Sequence, residues 1–228
     1  MCKRAIRVIK KQEIEGPYIF VGHSYGGLNV RMFTQKYPEL VAGLILVDSM
    51  HEDEITPRFP KEHIKGQLLA VKYFWILNGL SQIGMLKFLS ILKLHPGFTK
   101  TIKPFSKQVR DLLWKISFQK KSILTTYSEF ANVQEGYDKV RGLKIKDIPL
   151  IVIKAGLVND FYPGTSEETK RIIREKLKEV ANDMKNLSAD GKMVEVCDSG
   201  HNVHIENPRV VIDSIVEILR KTEKVKRR

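Results

Sequence analysis

The sequence predicts an α/β protein: a mostly parallel sheet flanked by helices, with a long helical segment inserted between two strands. Three observations carry that expectation. Val41 to Val47 and Leu150 to Ile153 are short apolar runs of the kind buried on both faces of a parallel sheet. Tyr18-Ile-Phe-Val-Gly22 is a β-branched and aromatic run that passes straight into residues with helical spacing. Strand and helix alternate near both ends of the chain, which implies parallel pairing with right-handed crossovers, whereas residues 49 to 146 carry no clear strand.

Ala5 to Gln12 has helical spacing and stops at Glu15-Gly16-Pro17, ahead of the first strand. A helix is expected over 26 to 37, ended by Tyr37-Pro38, and Asp48 closes the second strand. Leu68 to Leu77, Ile83 to Leu94, Val109 to Phe118 and Ile123 to Val133 read as helices separated by Gly79, His95-Pro96-Gly97 and Pro104. After the strand 150 to 153 comes a helix from about Ser166 to Leu187, with Thr165 or Ser166 as its N-cap and Glu167 and Glu168 in the first turn. Lys192 to Cys197 is the last strand. The last helix takes Asn207 as N-cap and Pro208 as first residue, and Val210, Val211, Ile212, Ile215, Val216 and Leu219 are expected to be its buried stripe.

Gly22-His23-Ser24-Tyr25-Gly26 sits where the first strand gives way to its helix, which is the context that makes Gly-x-Ser-x-Gly a nucleophile elbow. In so tight a turn the residues two before and two after the serine must lack bulk, so Gly22 and Gly26 are expected to be sterically required. Ser24 then projects its hydroxyl from the strand's carboxyl end, and the Tyr25 N–H, at the amino end of the helix, faces an oxyanion. Among six histidines, His201 follows the last strand, is preceded by Gly200 and precedes a well-capped helix, so it is placed to act as general base; His204 is its nearest competitor. His23 is expected to pack or hydrogen-bond within the turn, and His51, His63 and His95 to be solvated loop residues.

The stretch from Gly16-Pro17-Tyr18 to Val47-Asp48-Ser49 resembles the central part of the α/β-hydrolase superfamily, in its serine-hydrolase branch. Ser199-Gly200-His201-Asn-Val-His204-Ile-Glu206-Asn207-Pro208 is similar to the loop that carries the family's catalytic histidine. The resemblance covers most of the chain outside residues 50 to 146, and it implies a core from 1–48 and 147–228 with 49–146 as a helical cap roofing the pocket. The acid stays open between two residues. Asp160, in Gly156-Leu-Val-Asn-Asp160-Phe-Tyr-Pro163, resembles the family's usual acid loop and ranks first; Asp48 occupies the position used by some lipases and dehalogenases of the superfamily. The resemblance also implies that strands preceding the elbow strand are missing, together with a second oxyanion donor, leaving residues 18 to 22 as a sheet edge.

These residues imply hydrolysis of an acyl ester through an acyl-enzyme, with no cofactor or metal. An apolar small-molecule acyl substrate is expected, with Phe74, Trp75, Ile76, Met85, Phe88, Leu89 and Ile91 either lining its pocket or, for most of them, packing between cap helices. The alternative is a non-catalytic chain that binds a partner. The 39 Lys and Arg against 26 Asp and Glu read as dispersed apart from the tail after Arg220, which has no interleaved aromatics, so nucleic acid is not expected. Cys2 and Cys197 make a poor disulfide pair, no stretch has the length of a membrane span, and the charged first residues do not form a signal peptide. A soluble cytoplasmic protein is expected, of oligomeric state the sequence does not fix.

Overall fold

The computed structural model describes residues 2–11, 15–145, 147–157 and 165–226. In chain order these form α1 (Cys2–Lys11), β1 (Tyr18–His23), α2 (Tyr25–Lys36), β2 (Val41–Val47), α3 (Lys61–Gln82), α4 (Met85–Ile91), α5 (Pro96–Ile102), α6 (Lys107–Ser117), α7 (Lys120–Ala131), α8 (Val133–Val140), β3 (Leu150–Ala155), α9 (Glu167–Lys185), β4 (Gly191–Val196), α10 (Val203–Glu206) and α11 (Pro208–Lys226). They divide into two compact units, one of residues 1–64 and 134–228 and one of residues 65–133.

In the first unit the four strands pair in parallel in the order β1-β2-β3-β4, as the alternating sequence pattern implies. Alternation along each strand sends side chains to opposite faces, and both faces are covered. On one face Leu44, Leu46, Leu150 and Val152 pack against Phe33 of α2 and Ala181 and Met184 of α9. On the other, Ile45, Val47, Ile151 and Ile153 meet Val203, Val211 and Ile218. Side chains of this size, fully withdrawn from water, contribute roughly 1.5–3 kcal/mol each, so the two inner strands anchor the unit. β1 lies at one end of the strand order, with Val21 exposed.

Local signals set the helix ends. The Ser166 hydroxyl accepts the Thr169 N–H at 3.2 Å and caps α9. α11 begins at Pro208, but its buried stripe is Val211, Ser214 and Ile218, with Ile215 partly buried, whereas Ile212, Val216 and Leu219 are exposed. The expected stripe mixed two faces of the helix; the observed one keeps the i, i+3, i+4, i+7 spacing.

The second unit is wholly helical among its described residues. Gly79 does not interrupt α3, which runs through it to Gln82. His95 caps a helix rather than ending one, its Nδ1 accepting the Phe98 N–H at 3.0 Å while Pro96 takes the first helical position. Leu77, Leu86 and Ile123 form one small core with Phe74 and Leu89, and Ile102, Trp114 and Phe118 form another. Of the seven apolar residues expected to line a pocket or pack between helices, Phe74 and Leu89 pack, while Trp75, Ile76, Met85, Phe88 and Ile91 are exposed.

The glycines of the elbow need a correction. A Cβ on Gly22 would lie 2.6 Å from Val30 Cγ2 and 2.8 Å from the Gly26 carbonyl oxygen, so Gly22 is required. A Cβ on Gly26 meets nothing within 4 Å, whereas one on Gly27 would lie 1.7 Å from Ser49 Oγ and 2.4 Å from Ser49 Cβ. Gly27, not Gly26, lets α2 approach the chain leaving β2. Gly27→Ala is therefore expected to lower the unfolding free energy by about 1–3 kcal/mol as an overpacked contact, and Gly26→Ala to stay within about 0.5 kcal/mol of the parent, both read from urea titrations.

Candidate active site

Parallel register brings the site together. His23 of β1 pairs with Val47 of β2, so the next residues, Ser24 and Asp48, leave the carboxyl ends of neighbouring strands, which lie about 4.8 Å apart in any sheet. The Ser24 N–H extends the ladder to the Val47 carbonyl at 3.1 Å, and the Ser24 carbonyl accepts the N–H groups of Gly27 at 3.0 Å and Met50 at 3.2 Å. These three bonds hold Ser24 at φ 53°, ψ −124°, a conformation costly for a residue with a side chain. Tyr25 begins α2, so its N–H stands at the positive end of the helix.

His201 comes from the loop between β4 and α10. Its Nδ1 donates to Asp48 Oδ2 at 2.7 Å. Asp48 Oδ1 accepts the Ala155 N–H at 3.2 Å and the ammonium of Lys154, and the Asp48 N–H is bound by the Ile153 carbonyl at 2.7 Å. Burial alone would push the Asp48 carboxyl up, but the His201 hydrogen bond and the Lys154 charge outweigh it and hold the group down at about 2. Asp48 is therefore a carboxylate at neutral pH. Asp160 lies outside the described residues.

His23 supports the loop from below. Its Nε2–H donates to the His201 carbonyl at 2.8 Å, and its ring centroid lies 4.5 Å from those of both His201 and His204. Burial, with the neighbouring His201, lowers the His23 pKa to about 4, so this imidazole adds no positive charge beside His201. His23 thus hydrogen-bonds and packs, but against the segment between β4 and α11 rather than within the turn, the place the sequence implies. His204 packs against His23 and is likewise pushed down by its burial.

Two other histidines overturn the sequence reading. His51 and His63, expected in solvent, are buried, His63 stacked on Phe59 at 4.5 Å between ring centroids. They belong to a charged cluster that the sequence reading missed, built where the chain leaves β2 along His51-Glu52-Asp53-Glu54. Arg31, fully buried on α2, grips Glu52 with two hydrogen bonds of 2.8 and 3.0 Å. Asp53 pairs with Arg58 at 3.1 Å and Arg141 at 2.9 Å. The cluster ties α2, directly behind the elbow, to the segment that follows Asp48. Lys154 was also missed, although a lone lysine in the otherwise apolar strand Leu150–Ala155 is itself a signal that a carboxylate is near.

Residues 4–78 match the family model described as alpha/beta hydrolase fold. A Bacillus megaterium epoxide hydrolase has a similar structure, with a TM-score of 0.61 at 16% identity over 96% of this chain and 74% of that one. So does a marine microorganism esterase, at TM-score 0.55 and 20% identity over 95% of this chain and 75% of that one. An uncharacterized vacuolar membrane protein of Saccharomyces cerevisiae is 44% identical over 46 residues, which are 20% of this chain and 7% of the yeast protein. With its parallel sheet flanked by helices, the chain carries part of the α/β-hydrolase fold, which the family model matches over residues 4–78 and these solved structures share.

Two outcomes are expected from the charges just described. Removing Glu52 leaves the Arg31 guanidinium buried and unpaired, so Glu52→Ala should cost about 3–5 kcal/mol in denaturant unfolding, with Glu52→Gln milder because its amide oxygen still accepts. The second concerns acid. His23 takes a proton near pH 6.5 when unfolded but only near 4 when folded, so its contribution is complete above about 6.5 and is lost as the pH falls toward 4. Asp48, lowered from 3.8 to about 2, extends the loss below pH 3.8. Melting temperatures should fall between pH 7 and 4, and His23→Gln should flatten that part of the curve; parallel curves for parent and variant would refute the assignment.

Proposed function

We propose that this chain is a serine hydrolase of carboxylic esters, with Ser24 as nucleophile, His201 as general base and Asp48 as the acid that orients it. The observation that carries this reading is the 2.7 Å bond from His201 Nδ1 to Asp48, a residue at the end of the strand adjoining the one that delivers Ser24 in its strained turn. Donation through Nδ1 fixes the tautomer in which neutral His201 presents Nε2 as a base. His201 takes the Ser24 proton as Oγ attacks the acyl carbonyl, and the Asp48 carboxylate stabilises the resulting imidazolium. The Tyr25 N–H, at the head of α2, supports the oxyanion. His201 then returns the proton to the leaving alkoxide, and water hydrolyses the acyl-enzyme by the same base. In this reading Asp48 replaces Asp160 as first choice, because hydrogen bonding to the base is what an orienting acid does.

The test is labelling with a fluorophosphonate, which reacts only with an activated serine, beside hydrolysis of a p-nitrophenyl ester series. Ser24→Ala and His201→Ala should each abolish labelling. Asp48→Asn should slow it by on the order of 10³–10⁴, as loss of the orienting carboxylate does in serine proteases, while Asp160→Asn leaves it within a few-fold. Labelling of the Ser24→Ala protein at the parental rate would sink the proposal; loss of labelling in Asp160→Asn but not in Asp48→Asn would return the acid to Asp160. A well-folded parent that takes no label would favour the binding protein instead.

A further inference from the structure

The helical unit of residues 65–133 holds two excesses that its own packing does not use. Its sequence has eleven Lys and Arg against only Asp111 and Glu129, so much of the chain's formal charge of +13 is concentrated there. It also exposes large apolar side chains, most of them on α3 and α4: Trp75 is 60% and Phe88 58% accessible, and Ile83, between the two helices, 73%. At about 100° per residue, Leu68, Leu69, Tyr73, Trp75 and Ile76 fall within one arc of about 160° on α3, and all five are exposed. Phe74 and Leu77 point the opposite way, into the small core with Leu86 and Ile123. The outward arc is therefore surplus to folding. Lys65 and Lys72 fall inside it, are exposed, and have no carboxylate partner among the described residues. On α4, Met85, Phe88 and Ile91 repeat at the spacing of one helical face, and all three are exposed while Leu86 is buried.

We propose that this α3–α4 face is a docking surface for an anionic lipid bilayer, on which the helices lie in the headgroup layer rather than cross it. Among the described residues no single helix is long and apolar enough to cross a membrane, and α3 and α4, which together have the length and composition, are bent by 94° at the break between them. Apolar side chains sharing a face with lysines are what a headgroup layer accommodates, the rings and aliphatic groups entering the acyl boundary while ammonium groups stay with lipid phosphates and carboxylates. Complementary charge selects a bilayer over an uncharged apolar partner, since each basic residue near an anionic surface adds to binding and the excess here is large. The inference does not rest on the chemistry at Ser24.

The test is cosedimentation of the full chain with sucrose-loaded vesicles, of phosphatidylcholine alone or with about a third phosphatidylserine, an anionic surface of physiological type. Binding is expected to the anionic vesicles and at least about tenfold weaker to the neutral ones, and to fall as salt rises. Trp75 should report insertion through a blue shift of its emission, because Trp114, 5% exposed, is already away from water. Ile76→Ser with Phe88→Ser, and separately Lys65→Glu with Lys72→Glu, alter exposed positions and should leave circular dichroism and melting unchanged while each weakens partition by about tenfold or more. Absence of binding to anionic vesicles, or variants that bind as the parent does, overturns the proposal. So does a concentration-dependent dimer in sedimentation that the serine variants abolish while vesicles leave the parent unaffected, which would make a second copy the occupant.

Discussion

The hydrogen bond from the Ser24 N–H to the Val47 carbonyl carries the β1–β2 ladder one residue past the strand, and the site depends on it. It holds the residue after β1 beside the residue after β2, which makes Ser24 and Asp48 neighbours although 23 positions separate them in sequence. Side-chain direction in a strand alternates, so a slip of one residue would turn Asp48 to the other face and invert every buried side chain of β2. The packing of Leu44 and Leu46 on one side, and of Ile45 and Val47 on the other, therefore guards the geometry of the site as well as the stability of the sheet.

Charge around the site is sorted by depth. Asp48 sits between Lys154 and His201 and stays ionised at the cost of its own desolvation, while His23, a ring's breadth from His201, is kept neutral. Had His23 carried a proton, its repulsion would oppose the protonation of His201 that the proposed role as general base requires. A second depth of charge, Arg31 of α2 with Glu52, lies behind the elbow and is joined by a bidentate fork. Both arrangements put a desolvated ion where its partner is fixed by secondary structure, Asp48 and Lys154 at strand ends and Arg31 within a helix.

What could be read from the residues alone was what is written locally. The elbow needs only ten consecutive residues, and His201 stands out because strand, glycine and capped helix surround it, so neither depends on knowing the tertiary arrangement. The acid was open because Asp48 and Asp160 both follow apolar strands; that Asp48 meets His201 depends on the path of the loop bearing His201, which no local pattern reveals. His51 and His63 looked like loop residues because their burial arises only once the segment folds, with His51 beside the Glu52 carboxylate that Arg31 holds and His63 stacked on Phe59. The glycine requirement was placed one residue early, since a Cβ clash with Ser49 cannot be seen without knowing that the chain after β2 runs beside α2. The concentration of lysine between residues 65 and 133 was legible from the start and was hidden by averaging charge over the whole chain. That α3 carries apolar residues on two sides, only one of them buried, was not legible, because an exposed leucine has the same letter as a core one.

Between Asp48 and Pro149 the chain leaves the sheet, and the β2–β3 pairing closes over everything that intervenes. The entropy of closing so long a loop rises only with the logarithm of its length, and doubling the loop adds about 0.6 kcal/mol. The sheet is therefore nearly indifferent to how many residues lie in that excursion, provided that they fold among themselves, as the local clusters around Leu86 and Trp114 do. In evolutionary terms residues 65–133 are a stretch where helices can be added, removed or exchanged without renegotiating the core of the sheet, and the surface presented to the surroundings can be replaced while the strand ends are kept.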